Sequence, residues 1–134
     1  VIGILVVTHG SFGRELIKST EVIIGHQENT YALGLNEGDG IDEFKEKVAE
    51  EIKKLDGGDG VLVFADLFGG SPFNVTAINI SNNEKGMGFE CVTGVNSPML
   101  IDAFTMRNSL KIAELKNQCM ESGKLGIKDM RSEI

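Results

Sequence analysis

The opening residues Val1-Ile2-Gly3-Ile4-Leu5-Val6-Val7 form an apolar run that stops abruptly at Thr8-His9-Gly10-Ser11. No other stretch constrains the fold as strongly. A continuous run rich in β-branched residues and bounded by a turn signal reads as a strand buried on both faces, and such strands belong to parallel sheets. A helical pattern follows at once, so the run opens a strand–helix unit. In an open α/β sheet the ligand crevice lies outside the carboxyl ends of the strands. His9, one of only two histidines among 134 residues, is expected at that edge. There it lies beside the positive N-terminal end of the following helix, where an anion is stabilised.

Strand and helix patterns alternate along the rest of the chain, which predicts an α/β fold with helices covering a mainly parallel sheet. The first helix is expected over Phe12–Ile24, with Leu16, Ile17, Thr20, Ile23 and Ile24 as its inner stripe and Gly25 closing it. Tyr31–Leu35 reads as a second strand. Ile41, Phe44, Val48, Ile52 and Leu55 then recur at helical spacing. Val61–Ala65 is a third buried strand ending at Asp66. A helix is expected from Pro72 to Ser81, then a turn through Asn82–Gly86 and a fourth strand over Phe89–Thr93. Another helix begins near Pro98, an amphipathic segment runs to Met120, and Lys124–Met130 reads as a final short strand. The length is that of one domain, 1–134, able to bury a core without staples.

Composition excludes several classes of function. The formal net charge is −7, which argues against nucleic acid or an anionic membrane as main partner and suits a basic protein surface. The apolar runs are too short for a transmembrane helix, and there is no cationic segment leading into a signal sequence. Cys91 and Cys119 make no CxxC pattern, as expected of reduced thiols in a cytoplasmic protein. With two histidines and two scattered cysteines, no metal site and no cofactor are expected.

Three loops combine small residues, a polar side chain and a helix start. The first is Thr8-His9-Gly10-Ser11, the second runs from Asp66 through Gly69-Gly70-Ser71-Pro72 to Asn74, and the third is Gly94-Val95-Asn96-Ser97-Pro98. Each follows a predicted strand, so a parallel sheet brings all three to one edge. Ser71-Pro72 and Ser97-Pro98 read as an N-cap followed by the first helical position. Taken singly, each residue has an ordinary use: His9 in a turn, Asp66 capping an amide, Ser71 as an N-cap, Asn96 in a turn conformation, Thr8 in packing or hydrogen bonding. Together, a histidine and an aspartate on one edge can form an oriented pair. An aspartate that accepts one ring N–H fixes the tautomer and leaves the other nitrogen as a nucleophile. Attack on a phosphoryl group gives a phosphoimidazole suited to onward transfer, with Ser71, the amides of Gly69 and Gly70 and the helix N-termini available to its oxygens. The chain has no GxxxxGK[ST] phosphate loop.

Thr8-His9-Gly10, the stretch from Asp66 to Asn74, and Gly94-Val95-Asn96-Ser97-Pro98-Met99-Leu100 together resemble the mannose-type IIA component of the bacterial sugar phosphotransferase system. The resemblance spans essentially the whole chain in order and spacing, and the GGSPFN stretch after Asp66 is its specific signal. It implies that His9 is phosphorylated through Nε2, that Asp66 bonds to Nδ1, and that Ser71 contributes to the phosphoryl site. It further implies the histidine phosphocarrier HPr as donor, a IIB domain as acceptor, and an indirect link to IIC and IID membrane subunits. The implied fold is a doubly wound, three-layer sheet closed by an antiparallel edge strand exchanged within a homodimer, and Lys124–Met130 is where that strand would fall. Many relatives carry a IIB domain on the same chain; a separate IIA subunit and an excised domain both fit this one. Phe68, Phe73, Asn96 and Met99 are expected at the docking surface, with core packing as the alternative for the two phenylalanines.

Other readings place the chemistry elsewhere. A receiver-type signalling domain would be phosphorylated on Asp66, but needs Mg²⁺ held by an acidic pair where Thr8-His9-Gly10 stands. A hydrolase built on Ser71, His9 and Asp66 lacks the G-x-S-x-G elbow, and Pro72 removes the amide an oxyanion hole would use. A relative turned regulatory interaction module is disfavoured by the intact His9 and Asp66. The IIA-like subunit serving dihydroxyacetone kinase lacks the GGSPFN pattern.

Overall fold

A computed structural model of the chain describes residues 1–83 and 88–134. The buried apolar runs become β1 (Gly3–His9), β2 (Thr30–Leu35), β3 (Val61–Ala65) and β4 (Phe89–Val92). Between and after them lie α1 (Phe12–Ile24), α2 (Ile41–Leu55), α3 (Ser71–Ser81), α4 (Ser97–Met106), α5 (Ile112–Leu125) and the short α6 (Met130–Glu133). All strand pairs are parallel, in the order β2-β1-β3-β4. The chain therefore leaves β1 towards one side, then returns past it to β3, and the order reverses between β1 and β3. Ligand crevices form at that switch point. His9 closes β1 and Asp66 follows β3, so the two stand on either side of it.

Alternation along the strands sorts the core into two layers. Ile4, Val6, Leu62, Phe64 and Val92 pack with Leu100, Ala103, Phe104, Leu115 and Cys119 of α4 and α5, with Leu16 and Ile17 of α1 beside them. Leu5, Val7, Val61 and Val63 pack on the other face with Phe44, Val48, Ile52 and Leu55 of α2 and Val75 of α3. The sheet is thus covered on both sides, as the unbroken apolar runs require. Phe64 is fully buried, and truncating it to alanine would cost about 3–5 kcal/mol. At the opposite edge from His9, the buried Arg107 guanidinium donates to the carbonyls of Ile2, Glu28 and Asn29 at 3.2, 2.6 and 3.3 Å, fixing the strand starts.

Lys124–Met130 is not a strand. α5 runs on through Leu125, residues 127–129 have no regular structure, and α6 begins at Met130. The physical reason lies in α5's last turns. The Asn96 amide donates to the carbonyl of Gly123 at 3.1 Å, and a β-carbon at Gly123 or Gly126 would meet Met99 or Pro98 within 2.6 Å. Two small residues let the helix seat against the start of α4, and the segment after it does not return to the sheet. Of the expected Asn82–Gly86 turn, residues 84–86 lie outside the described residues.

Candidate functional site

β1 delivers Thr8 and His9 to opposite faces. Thr8, completely buried, turns towards α1, and its hydroxyl accepts the Gly13 N–H at 2.9 Å. That bond satisfies an orphan amide of α1's first turn, a task the Ser11 side chain does not perform. The end of β1 is tied to β2 through Gly10 N–H to the Leu35 carbonyl at 2.8 Å. Gly34 lies so close to the Gly10 carbonyl that no side chain fits there. A glycine inside a strand pattern is the sequence signal of such an approach, and it was not read as one above.

His9 meets Asp66 twice. Asp66 Oδ2 accepts the main-chain N–H of His9 at 3.0 Å and lies 2.8 Å from Nδ1 of its ring. The aspartate side chain is 15% exposed and the histidine 49%, so the carboxylate is the buried, fixed partner and the imidazole its exposed face. Burial pushes the Asp66 carboxyl up, but the His9 N–H, ring bond and charge outweigh it and hold the group below the ordinary aspartate value. An ionised Asp66 accepts from Nδ1–H, which leaves Nε2 as the unprotonated nitrogen. Asp66 Oδ1 is buried and has no hydrogen-bond partner among the described residues.

The ring edge lies against Gly70, at the start of α3. Gly69 takes a positive φ of 82°, which lets residues 67–70 close a tight turn with the Gly70 N–H on the Leu67 carbonyl at 3.1 Å. Gly70, not Ser71, is the N-cap of α3; Ser71 and Pro72 occupy the first helical positions. The expected cap is thus displaced by one residue, and the Ser71 hydroxyl is not used for capping. The N–H groups of Ser71 and Phe73 have no intrahelical acceptor, so α3 presents free donors beside the imidazole. The Gly70 N–H is already engaged and is not one of them.

The other candidates lie beside this centre. Phe68 is 77% exposed and stacks on Phe73 with centroids 4.9 Å apart. Both line an open apolar groove of about 420 Å³ with Met99, Met120 and Ile127, which runs beside β4 and does not include His9. Asn96 caps α4, accepting the Met99 N–H at 3.2 Å. Met99 is buried and forms a groove wall, so neither residue is presented as freely as Phe68. Leu67 and Phe12, exposed apolar residues adjoining Asp66 and following the His9 turn, were not singled out in the sequence. Among the described residues no group of three or more acidic, histidine or cysteine side chains could hold a metal ion, and no helix is long and apolar enough to cross a membrane.

The chain is similar to known proteins in sequence and in fold. Residues 3–120 match the family described as PTS system fructose IIA component. The mannose-specific EIIAB component of Escherichia coli K12 is 32% identical over 133 residues, 98% of this chain and 40% of that protein. The chain thus spans about two fifths of that relative's length. The fructose-specific EIIA component of Bacillus subtilis is 30% identical over 117 residues, 87% of this chain and 78% of that one. The crystal structure of a phosphotransferase system component EIIA from Streptococcus agalactiae superposes with a TM-score of 0.89 at 28% identity, covering 98% of this chain and 99% of that one. The chain therefore belongs to the mannose- and fructose-type IIA family of sugar phosphotransferase components.

Proposed function

We propose that the protein is a phosphohistidine carrier: His9 takes a phosphoryl group from phospho-HPr on Nε2 and passes it to a IIB domain during sugar uptake. One observation carries this reading, the half-exposed imidazole of His9 held at Nδ1 by a largely covered, ionised Asp66. The Nε2 lone pair forms the new N–P bond as the donor's N–P bond breaks and its electron pair leaves with the donor imidazole. The Nδ1 proton stays on His9, and Asp66 balances the positive charge that builds on the ring. Ser71 and the free amides at the start of α3 are placed for the phosphoryl oxygens. The second transfer repeats the first in reverse.

Phe68 and Phe73 serve as an apolar docking surface next to His9, and the acidic chain favours a basic partner surface. We also propose a homodimer in which a second copy covers the outer edge of β4 and the exposed apolar residues of the C-terminal segment. Support comes from that edge's position at the end of the sheet and from Ile127 and Met130, 80% and 77% exposed.

Intact-mass spectrometry after incubation with phosphoenolpyruvate, Enzyme I and HPr tests the carrier reading. A single phosphoryl adduct, acid-labile, base-stable and absent from His9→Ala, is expected. No adduct with the cognate proteins overturns it in favour of a regulatory relative. An adduct that survives in His9→Ala moves the acceptor to Asp66.

A further inference from the structure

The amide of Gly70 is spent on the Leu67 carbonyl, so phosphoryl binding does not explain a glycine at this position. Nor does conformation: its φ of −73° and ψ of 164° are open to any residue. Position does. A β-carbon at residue 70 would lie 2.9 Å from Cε1 of His9 and 3.6 Å from Nε2, with the Leu67 carbonyl at 3.4 Å. Gly69 is the reverse case, with a φ of 82° and nothing within 4 Å of a β-carbon.

We propose that Gly70 is a positioning residue for phosphoryl transfer: its bare α-carbon seats the imidazole edge of His9 against the start of α3 and keeps the space beside Nε2 open. The inference rests on the carrier reading of His9. Asp66 fixes the ring from the Nδ1 side and Gly70 bounds it on the Cε1 side. A side chain at residue 70 pushes the ring away, and the ring yields by stretching its bond to Asp66 or by turning Nε2 off the line of attack. Displacements on the order of 1 Å cost such reactions about a hundredfold.

The test compares Gly70→Ala and Gly69→Ala with wild type by thermal unfolding, ¹H–¹⁵N spectra of the His9 ring, and phosphoryl transfer from phospho-HPr. Gly70→Ala is expected to keep the wild-type Tm, because alanine suits that backbone and restricts the unfolded chain. It should move the His9 ring resonances and lower kcat by about ten- to a hundredfold at an unchanged KM. Gly69→Ala should lower Tm, through strain at its positive φ, without moving those resonances. A Gly70→Ala protein with wild-type ring resonances and kcat overturns the proposal. So does one that loses as much Tm as Gly69→Ala, because the glycine would then serve the loop and not the ring. Failure of the wild-type protein to take a phosphoryl group overturns the carrier reading itself, a result distinct from either.

Discussion

Both histidines of this chain have a carboxylate oxygen at Nδ1, at 2.8 Å from Asp66 for His9 and at 3.0 Å from Glu21 for His26. Only one pair has the geometry that the proposed carrier role requires. Asp66 stands at the end of a central strand, 15% exposed, and its Oδ2 is held from two directions by the same residue. His26 follows α1 in an exposed turn, 75% exposed, with Glu28 at 3.4 Å from its other nitrogen. Its ring lies between two acids and presents no free nucleophilic edge to a partner. A histidine–carboxylate contact is therefore a weak signal by itself. What gives it meaning is a fixed acceptor on one nitrogen, an open second nitrogen, and a location at the switch point of the sheet.

The sharpest way to break this contrast is to remove each ring. His9→Ala is expected to abolish the phosphoryl adduct completely, and His26→Ala to leave it intact; transfer that depends on His26 would reverse the assignment. Next come the acids. Asp66→Asn should slow transfer by about ten- to a hundredfold while keeping the acceptor, since the charge-assisted bond to Nδ1–H becomes a neutral one. It also places an NH₂ either at the partnerless Oδ1 position or against two donors at Oδ2. Glu21→Gln should leave the transfer rate at wild type. Equal rates for Asp66→Asn and wild type would remove the orienting role from Asp66.

That distinction was legible in the sequence for reasons particular to each element. A strand buried on both faces announces itself by an unbroken apolar run, so β1 and β3 and their terminal His9 and Asp66 could be read directly. The C-terminal segment could not be read in this way. Gly123 looks like a breaker, yet α5 runs through it and stops only at its C-cap Gly126, because small residues at both positions let the helix seat on Met99 and Pro98. The cap of α3 was displaced for a related reason: Gly70 takes an extended backbone against the His9 ring and starts the helix one residue early. These two misreadings concern glycines whose role is set by a neighbour distant in sequence, which local patterns do not carry; the cap of α4 likewise falls on Asn96 and not on Ser97 as expected, because the Asn96 side chain accepts the Met99 N–H.

A third, smaller effect follows from pH. The Asp66 carboxyl lies below its ordinary value, so the stability it contributes is fully present above the unfolded-state pKa near 3.8 and is lost as pH falls through the lower folded value. The urea midpoint of wild type should fall relative to Asp66→Asn only below that pH. A difference that stays constant as pH falls through that range would remove the carboxylate's charge from the stability of the pair. Phe68→Ala comes next, with a several-fold rise in KM for phospho-HPr and little change in Tm, since 77% of that residue is exposed.

The smallest effect separates the two roles of Glu21. Its Oε2 lies 3.0 Å from the His26 ring and also accepts the main-chain N–H of Gln27 at 2.8 Å, which helps close the turn after α1. The contact is exposed, and removing it with His26→Ala should cost no more than about 0.5 kcal/mol. Glu21→Ala removes the backbone acceptor as well and should cost about 1 kcal/mol, largely independent of salt. Urea unfolding of both variants at low and high ionic strength measures the difference. If His26→Ala proves as costly as Glu21→Ala, the exposed pair does structural work of its own, and the contrast with His9 narrows to the geometry around Nε2.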